Sequence, residues 1–108
     1  MLTLALDIGG TKLAVGLVDP AGELVHTAVE PTPKDQHPEH VWSVLDRMIA
    51  DAARVANGAV RAVGIGSAGP IDAAAGTVSP VNIPSWHGFP LRDRVAAALQ
   101  RRHHGVDP

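Results

Sequence analysis

Short apolar runs punctuated by glycine, proline and acidic residues dominate the first third of the chain. Leu2 to Leu6 is one such run, closed by Asp7, Ile8 and the Gly9–Gly10 pair, and Leu13 to Val18 is a second, closed by Asp19, Pro20, Ala21 and Gly22. Two apolar runs joined by Gly–Gly predict a β-hairpin. Leu24 to Val29 supplies a third strand, after which Pro31, Pro33 and polar residues to Gln36 break the pattern. Pro38 then suits the first turn of a helix, and Val41, Leu45, Met48, Ile49, Ala52, Val55 and Ala56 recur at helical spacing. Asn57 and Gly58 are residues that end helices. Ala59 to Ile65, interrupted only by Arg61, reads as a strand parallel to the first. From Gly66 to Pro90 the chain is rich in breakers (Gly69, Gly76, Gly88, Pro70, Pro80, Pro84), which predicts a long loop of the kind that carries function. Leu91 to Arg102 closes as a helix with Leu91, Val95, Ala98 and Leu99 on one face and Arg101, Arg102, His103 and His104 at its end.

This order predicts an α/β fold: a mixed β-sheet with a hairpin meander at one edge and a parallel return strand reached through a crossover helix. Two helices cover one face of such a sheet, so a further covering element is expected beyond the carboxyl end.

Composition narrows the class of partner. At 108 residues with 45% hydrophobic content the chain makes one domain, and Trp42, Trp86 and Phe89 are its only aromatics, so the core is aliphatic and no base-stacking surface is expected. A formal charge of -2 disfavours nucleic acid. The absence of cysteine excludes disulfides and thiolate chemistry and is compatible with the cytoplasm. Met1 to Leu6 is apolar but lacks a positive leader, and Asp7 interrupts it well short of a signal or membrane segment, so a soluble cytoplasmic protein with no membrane partner is expected.

Between the first two strands stand Asp7, Gly9, Gly10, Thr11 and Lys12. A tight turn with both glycines at positive φ accounts for the glycines alone. Alternatively, exposed backbone N–H groups form an anion-binding concavity, Thr11 adds a hydroxyl, Lys12 adds charge, and Asp7 holds magnesium through water. The residues leave both readings open, and Lys12 serves equally as a solvent-facing strand residue. "GIGSAG" (Gly64, Gly66, Gly69) matches a dinucleotide fingerprint, yet Pro70, Ile71, Asp72 and "AAAG" follow where a helix is required, and Asp93 falls inside a predicted helix. His37 with His40, and His103 with His104, lack a third ligand nearby, so no zinc is expected. A Walker loop is also missing, so a nucleotide must be held in another way.

Taken together, "DIGGTKLAVGLVD", "GIGSAGPIDAAAGTV" and "SPVNIPSW" resemble the ROK family of bacterial sugar kinases and repressors, in order and spacing over essentially the whole chain. The resemblance implies an actin-like ATPase (ribonuclease H-like) fold of two lobes, with ATP and Mg²⁺ in the cleft and a hexose beneath the γ-phosphate. By the same resemblance residues 1–108 are expected to correspond to the amino-terminal lobe, with the carboxyl-terminal lobe absent. By likeness, Asp7, Gly9, Gly10, Thr11 and Lys12 form the phosphate-binding hairpin, Gly69 and Pro70 a loop against the sugar, and Asn82 a contact to a sugar hydroxyl. Ala68 replaces the proline of many relatives, Asp72 is expected to form a turn and Trp86 a packing anchor. The family's catalytic aspartate belongs to an Asn-Asp motif expected beyond Pro108, and Asp107 lacks that context, so these 108 residues alone are expected not to turn over. A sugar-responsive regulator lobe or a degenerate binding remnant is the alternative; family repressors carry a helix-turn-helix before this segment, and the chain begins at its first strand, which favours the kinase. Other actin-like phosphotransferases would lack "GPID" and "SPVNIPSW". Glucose is the default sugar with aminosugars open, and an exposed lobe interface is expected to favour homo-oligomers.

Overall fold

The computed structural model describes residues 1–35, 37–67, 71–72, 74–78 and 88–103. Three strands form first, β1 (Leu2–Ile8), β2 (Lys12–Val18) and β3 (Leu24–Pro31), followed by α1 (Pro38–Ala56), β4 (Val60–Ser67), the short pair β5 (Ile71–Asp72) and β6 (Thr77–Val78), and α2 (Leu91–His103). The four-stranded sheet has the order β3-β2-β1-β4. Adjacent pairs are antiparallel except β1 and β4, which run parallel, in register from Thr3↔Ala62 to Ile8↔Ser67. A parallel pair needs a crossover, and the meander and α1 provide it.

Alternation along the strands sorts the sheet into two faces. Leu4, Leu6 and Ile8 of β1 and Leu13, Val15 and Leu17 of β2 are buried on one face against Val41, Leu45, Met48, Ile49 and Ala52 of α1 and Leu91, Val95 and Ala98 of α2. Each large aliphatic side chain buried this way contributes about 1.5–3 kcal/mol. The opposite face carries Thr3, Ala5 and Asp7 of β1 and, across the ladder, Val18, Gly16 and Ala14 of β2. Among the described residues no helix covers it.

The expected α1 boundaries hold. Its end is made by Asn57, which adopts the left-handed conformation at φ 52 and returns its N–H to the carbonyls of Ala53 and Arg54 at 3.0 and 3.2 Å. Its start is built less conventionally. His37 offers no side-chain cap; instead Asp35 Oδ1 accepts the His37 N–H at 3.1 Å while its other oxygen pairs with His40 Nδ1. Those contacts, the His40 ring first, hold the Asp35 carboxyl below its ordinary range. Arg94 ties the two helices together through a two-pronged bond to Glu39 at 2.6 and 2.7 Å, its guanidinium lying 5.7 Å from the Trp42 ring centre and 5.2 Å from that of Phe89.

Two expectations need correction. The strands run further than the apolar runs do: β1 continues through Asp7 and Ile8, β3 reaches Pro31, and β4 takes in Gly66 and Ser67. Backbone pairing extends a strand wherever a neighbour supplies partners, whatever the polarity of the side chains. Asp72 forms no turn but pairs with Thr77 in the β5–β6 ladder. The reversal falls on residues 74–76, where Gly76 supplies φ 72.

Candidate functional site

Everything singled out around the first hairpin meets at one end of the sheet. β1 and β2 pair as far as Ile8↔Leu13, and the Gly9 N–H donates to the Lys12 carbonyl at 3.1 Å. That close approach explains the first glycine: a Cβ on Gly9 would lie 2.8 Å from the Lys12 oxygen. Backbone handedness does not explain it. Among the described residues the glycines at positive φ are Gly22, Gly58, Gly76 and Gly88, so neither Gly9 nor Gly10 serves the turn in the way a two-residue Gly–Gly hairpin demands.

A second segment shapes this turn. Beyond β3, Thr32 is buried to 3% exposure; its hydroxyl donates to the Gly9 carbonyl at 2.7 Å and its N–H to the Thr11 carbonyl at 3.0 Å. Lys34 Nζ donates to the Gly10 carbonyl at 3.0 Å. The carbonyls of Gly9, Gly10, Thr11 and Lys12 are therefore all engaged. No partner for the N–H of Gly10 or Thr11 is found among the described residues. Engaged carbonyls and unspent amides give a turn whose outward electrostatic character is positive, which is the polarity that a phosphate oxygen requires.

Asp7 lies on the helix-free face, exposed, paired with Ala14 on one side and Gly66 on the other. Gly66 leaves the neighbouring strand position bare, and a Cβ there would stand at ordinary contact distance, 3.8 Å, from Asp7 Oδ1. An exposed carboxylate with a bare neighbour fits magnesium, which takes one or two protein carboxylates and fills its remaining positions with water and phosphate oxygens. Thr11 and Lys12 are exposed at the mouth of the hairpin. Lys12 makes no ion pair among the described residues.

Gly64 and Gly66 sit within β4 and are followed by β5, so the dinucleotide arrangement, a helix opening on the third glycine, is not built there. Gly69, Pro70, Asn82, Ala68, Trp86 and Asp107 lie outside the described residues. Thr32 and Lys34 are residues of the candidate site that sequence reasoning missed. Their signal was the "PTPK" run at 31–34, read only as a strand breaker.

Comparison with known proteins places this hairpin in context. The ROK family profile matches residues 3–104. Glucokinase of Streptomyces coelicolor is 38% identical over 98 residues, 91% of this chain and 30% of that protein. N-acetyl-D-glucosamine kinase of Escherichia coli is 37% identical over 95 residues, 88% of this chain and 31% of that protein. A ROK family glucokinase from Streptomyces griseus, solved in complex with glucose and AMPPNP, superposes with a TM-score of 0.73 at 34% identity, covering 98% of this chain and 31% of that one. The chain thus spans about a third of the length of the relatives that it matches. With the profile running nearly end to end and the backbone superposing on a solved ROK family glucokinase, this chain belongs to the ROK family and has its actin-like fold.

Proposed function

We propose that residues 1–108 are the amino-terminal, phosphate-holding lobe of an ATP-dependent hexose kinase. The observation that carries this reading is the Gly9–Lys12 turn, with its carbonyls engaged and the Gly10 and Thr11 amides without partners among the described residues. Phosphoryl transfer rests on positioning and on offsetting charge rather than on covalent chemistry by the protein. In this lobe the Gly10 and Thr11 amides and the Thr11 hydroxyl receive phosphate oxygens, Lys12 adds positive charge at the mouth, and Asp7 orients the hydrated metal. Magnesium, when bound, supplies charge neutralisation on the phosphate chain. Gly69, Pro70 and Asn82 contact the sugar, and the base that takes the hydroxyl proton comes from outside these residues. The named relatives, glucokinases and an N-acetyl-D-glucosamine kinase, support a glucose-like or aminosugar substrate, and the AMPPNP complex supports ATP as donor.

Titrating the ¹⁵N-labelled chain with AMPPNP and Mg²⁺ tests the reading. Amide shifts centred on Gly10 and Thr11 are expected, with Asp7→Asn abolishing the part that depends on magnesium. Unchanged Gly10 and Thr11 resonances at saturating nucleotide would overturn it. A coupled assay of the isolated chain with ATP and glucose is expected to show no turnover.

A further inference from the structure

The segment after β3 does more than end a strand. It runs Pro31, Thr32, Pro33, Lys34, and its two prolines fix φ on either side of Thr32. Thr32 is the one buried polar side chain among the described residues, and both its hydroxyl and its N–H are spent on the turn between β1 and β2. This stiff, anchored arm carries the Lys34 ammonium to the apex of the turn, 24 residues away in sequence. Among the described residues Lys34 has no carboxylate partner. A carbonyl satisfies one of its three donors and none of its charge, so the head group is a cation held beside unspent amides without a counterion.

Resting on the reading of the turn as a phosphate site, we propose that Lys34 is a further phosphate-binding side chain of this site and that Thr32 is its positioning residue. Lys34 lies in neither the hairpin motif nor the glycine segments, and its contribution comes from the segment that follows β3. When a phosphate chain arrives, the ammonium turns its remaining donors to a phosphate oxygen, next to the oxygens held by the Gly10 and Thr11 amides. Thr32 acts by keeping the Gly9 and Thr11 carbonyls turned inward, without touching the phosphate. A ligand of this chemistry is a polyphosphate chain, such as that of a nucleoside triphosphate.

The test uses the full chain with inorganic tripolyphosphate, and separately ATP with Mg²⁺, as probes, following amide shifts and calorimetric affinity. Lys34→Met is expected to weaken both probes by about tenfold, the loss of one charge-assisted hydrogen bond. Lys34→Arg should keep affinity within about threefold, since the charge and a donor remain. Arg54→Met, which removes the same charge in the last turn of α1, controls for net charge and should leave affinity unchanged. Thr32→Val, nearly isosteric, is expected to speed hydrogen exchange at the Gly9 amide, which is paired to the Lys12 carbonyl, and to weaken binding, and Thr32→Ser to restore both. Lys34 is exposed, so its variants keep the fold and stay informative even where Thr32→Val does not. Wild-type affinity in Lys34→Met, or an equal loss in Arg54→Met, overturns the proposal and leaves the turn standing as a phosphate site. Failure of the wild-type chain to bind either probe overturns both.

Discussion

Gly9 shows how one residue is required for a reason that its neighbours conceal. Space, not handedness, fixes it: a methyl group there meets the backbone oxygen of Lys12 at 2.8 Å, and a backbone atom inside a paired hairpin has little room to retreat. Gly9→Ala is expected to cost about 1–3 kcal/mol in chemical denaturation. It should also displace the amide resonances of Gly10 and Thr11, because the same shift opens the turn. Asp7 lies at the opposite extreme, exposed and with no structural debt, so Asp7→Asn should leave the denaturation midpoint close to wild type. A large loss of stability in that variant would mean that the carboxylate supports the fold rather than a metal.

At the scale of elements, the helices are held at their ends as much as along their faces. Asn57 sits at φ 52, where a β-branched side chain is strained, so Asn57→Val is expected to lower stability by about 1–2 kcal/mol in urea titration. Between the helices, the Arg94 guanidinium bound to Glu39 holds that carboxyl below its ordinary value of 4.5, and the Glu39 carboxylate holds Arg94 above its own. A carboxyl with a lowered folded-state value binds its proton more readily when unfolded. Its contribution is therefore complete above about pH 4.5 and disappears as pH falls through the lowered value. With the Glu39 side chain 61% exposed and that of Arg94 34%, solvent screening keeps the contribution under about 1 kcal/mol. Melting temperatures of wild type and Glu39→Gln should differ at neutral pH and converge in acid. A gap that persists in acid would assign the effect to packing of Arg94 on Trp42 and Phe89.

For the molecule as a whole, the sheet's edges differ in character. β3 ends in Glu30 and Pro31, and a register shift at Leu17/Val18 interrupts its pairing with β2, all features that discourage a further strand. β4 reads VRAVGIGS, with Arg61 its one charge and Val63 39% exposed, and among the described residues nothing pairs with its outer side. An open apolar edge of this kind recruits strands, so the chain is expected to associate as concentration rises. Ala62→Lys, exposed on the helix-free face of β4, should reduce the apparent mass by light scattering without changing the fold. Unchanged association in that variant would move the contact to another surface.

Local chemistry determined much of this protein before any packing was known. Apolar runs set β1 to β4, helical spacing and Asn57–Gly58 set α1, and Asp7 with Gly9–Lys12 marked the candidate site, because each signal is complete within a few neighbouring residues. Packing decided what no short window contains. Thr32 reads as a loop residue until β3 folds back along β2 and brings its hydroxyl to the Gly9 carbonyl, 23 residues away. Lys34 is one charge among several until that same return carries it to the turn. The glycines invited a positive-φ turn from sequence, and only the backbone geometry showed that close approach, with carbonyls held from a second segment, sets the shape instead. Hydrogen-bond partners distant in sequence decide which way a peptide plane faces, so the polarity of the candidate site belongs to the tertiary structure even though its hairpin residues, Asp7 and Gly9–Lys12, were legible from the start.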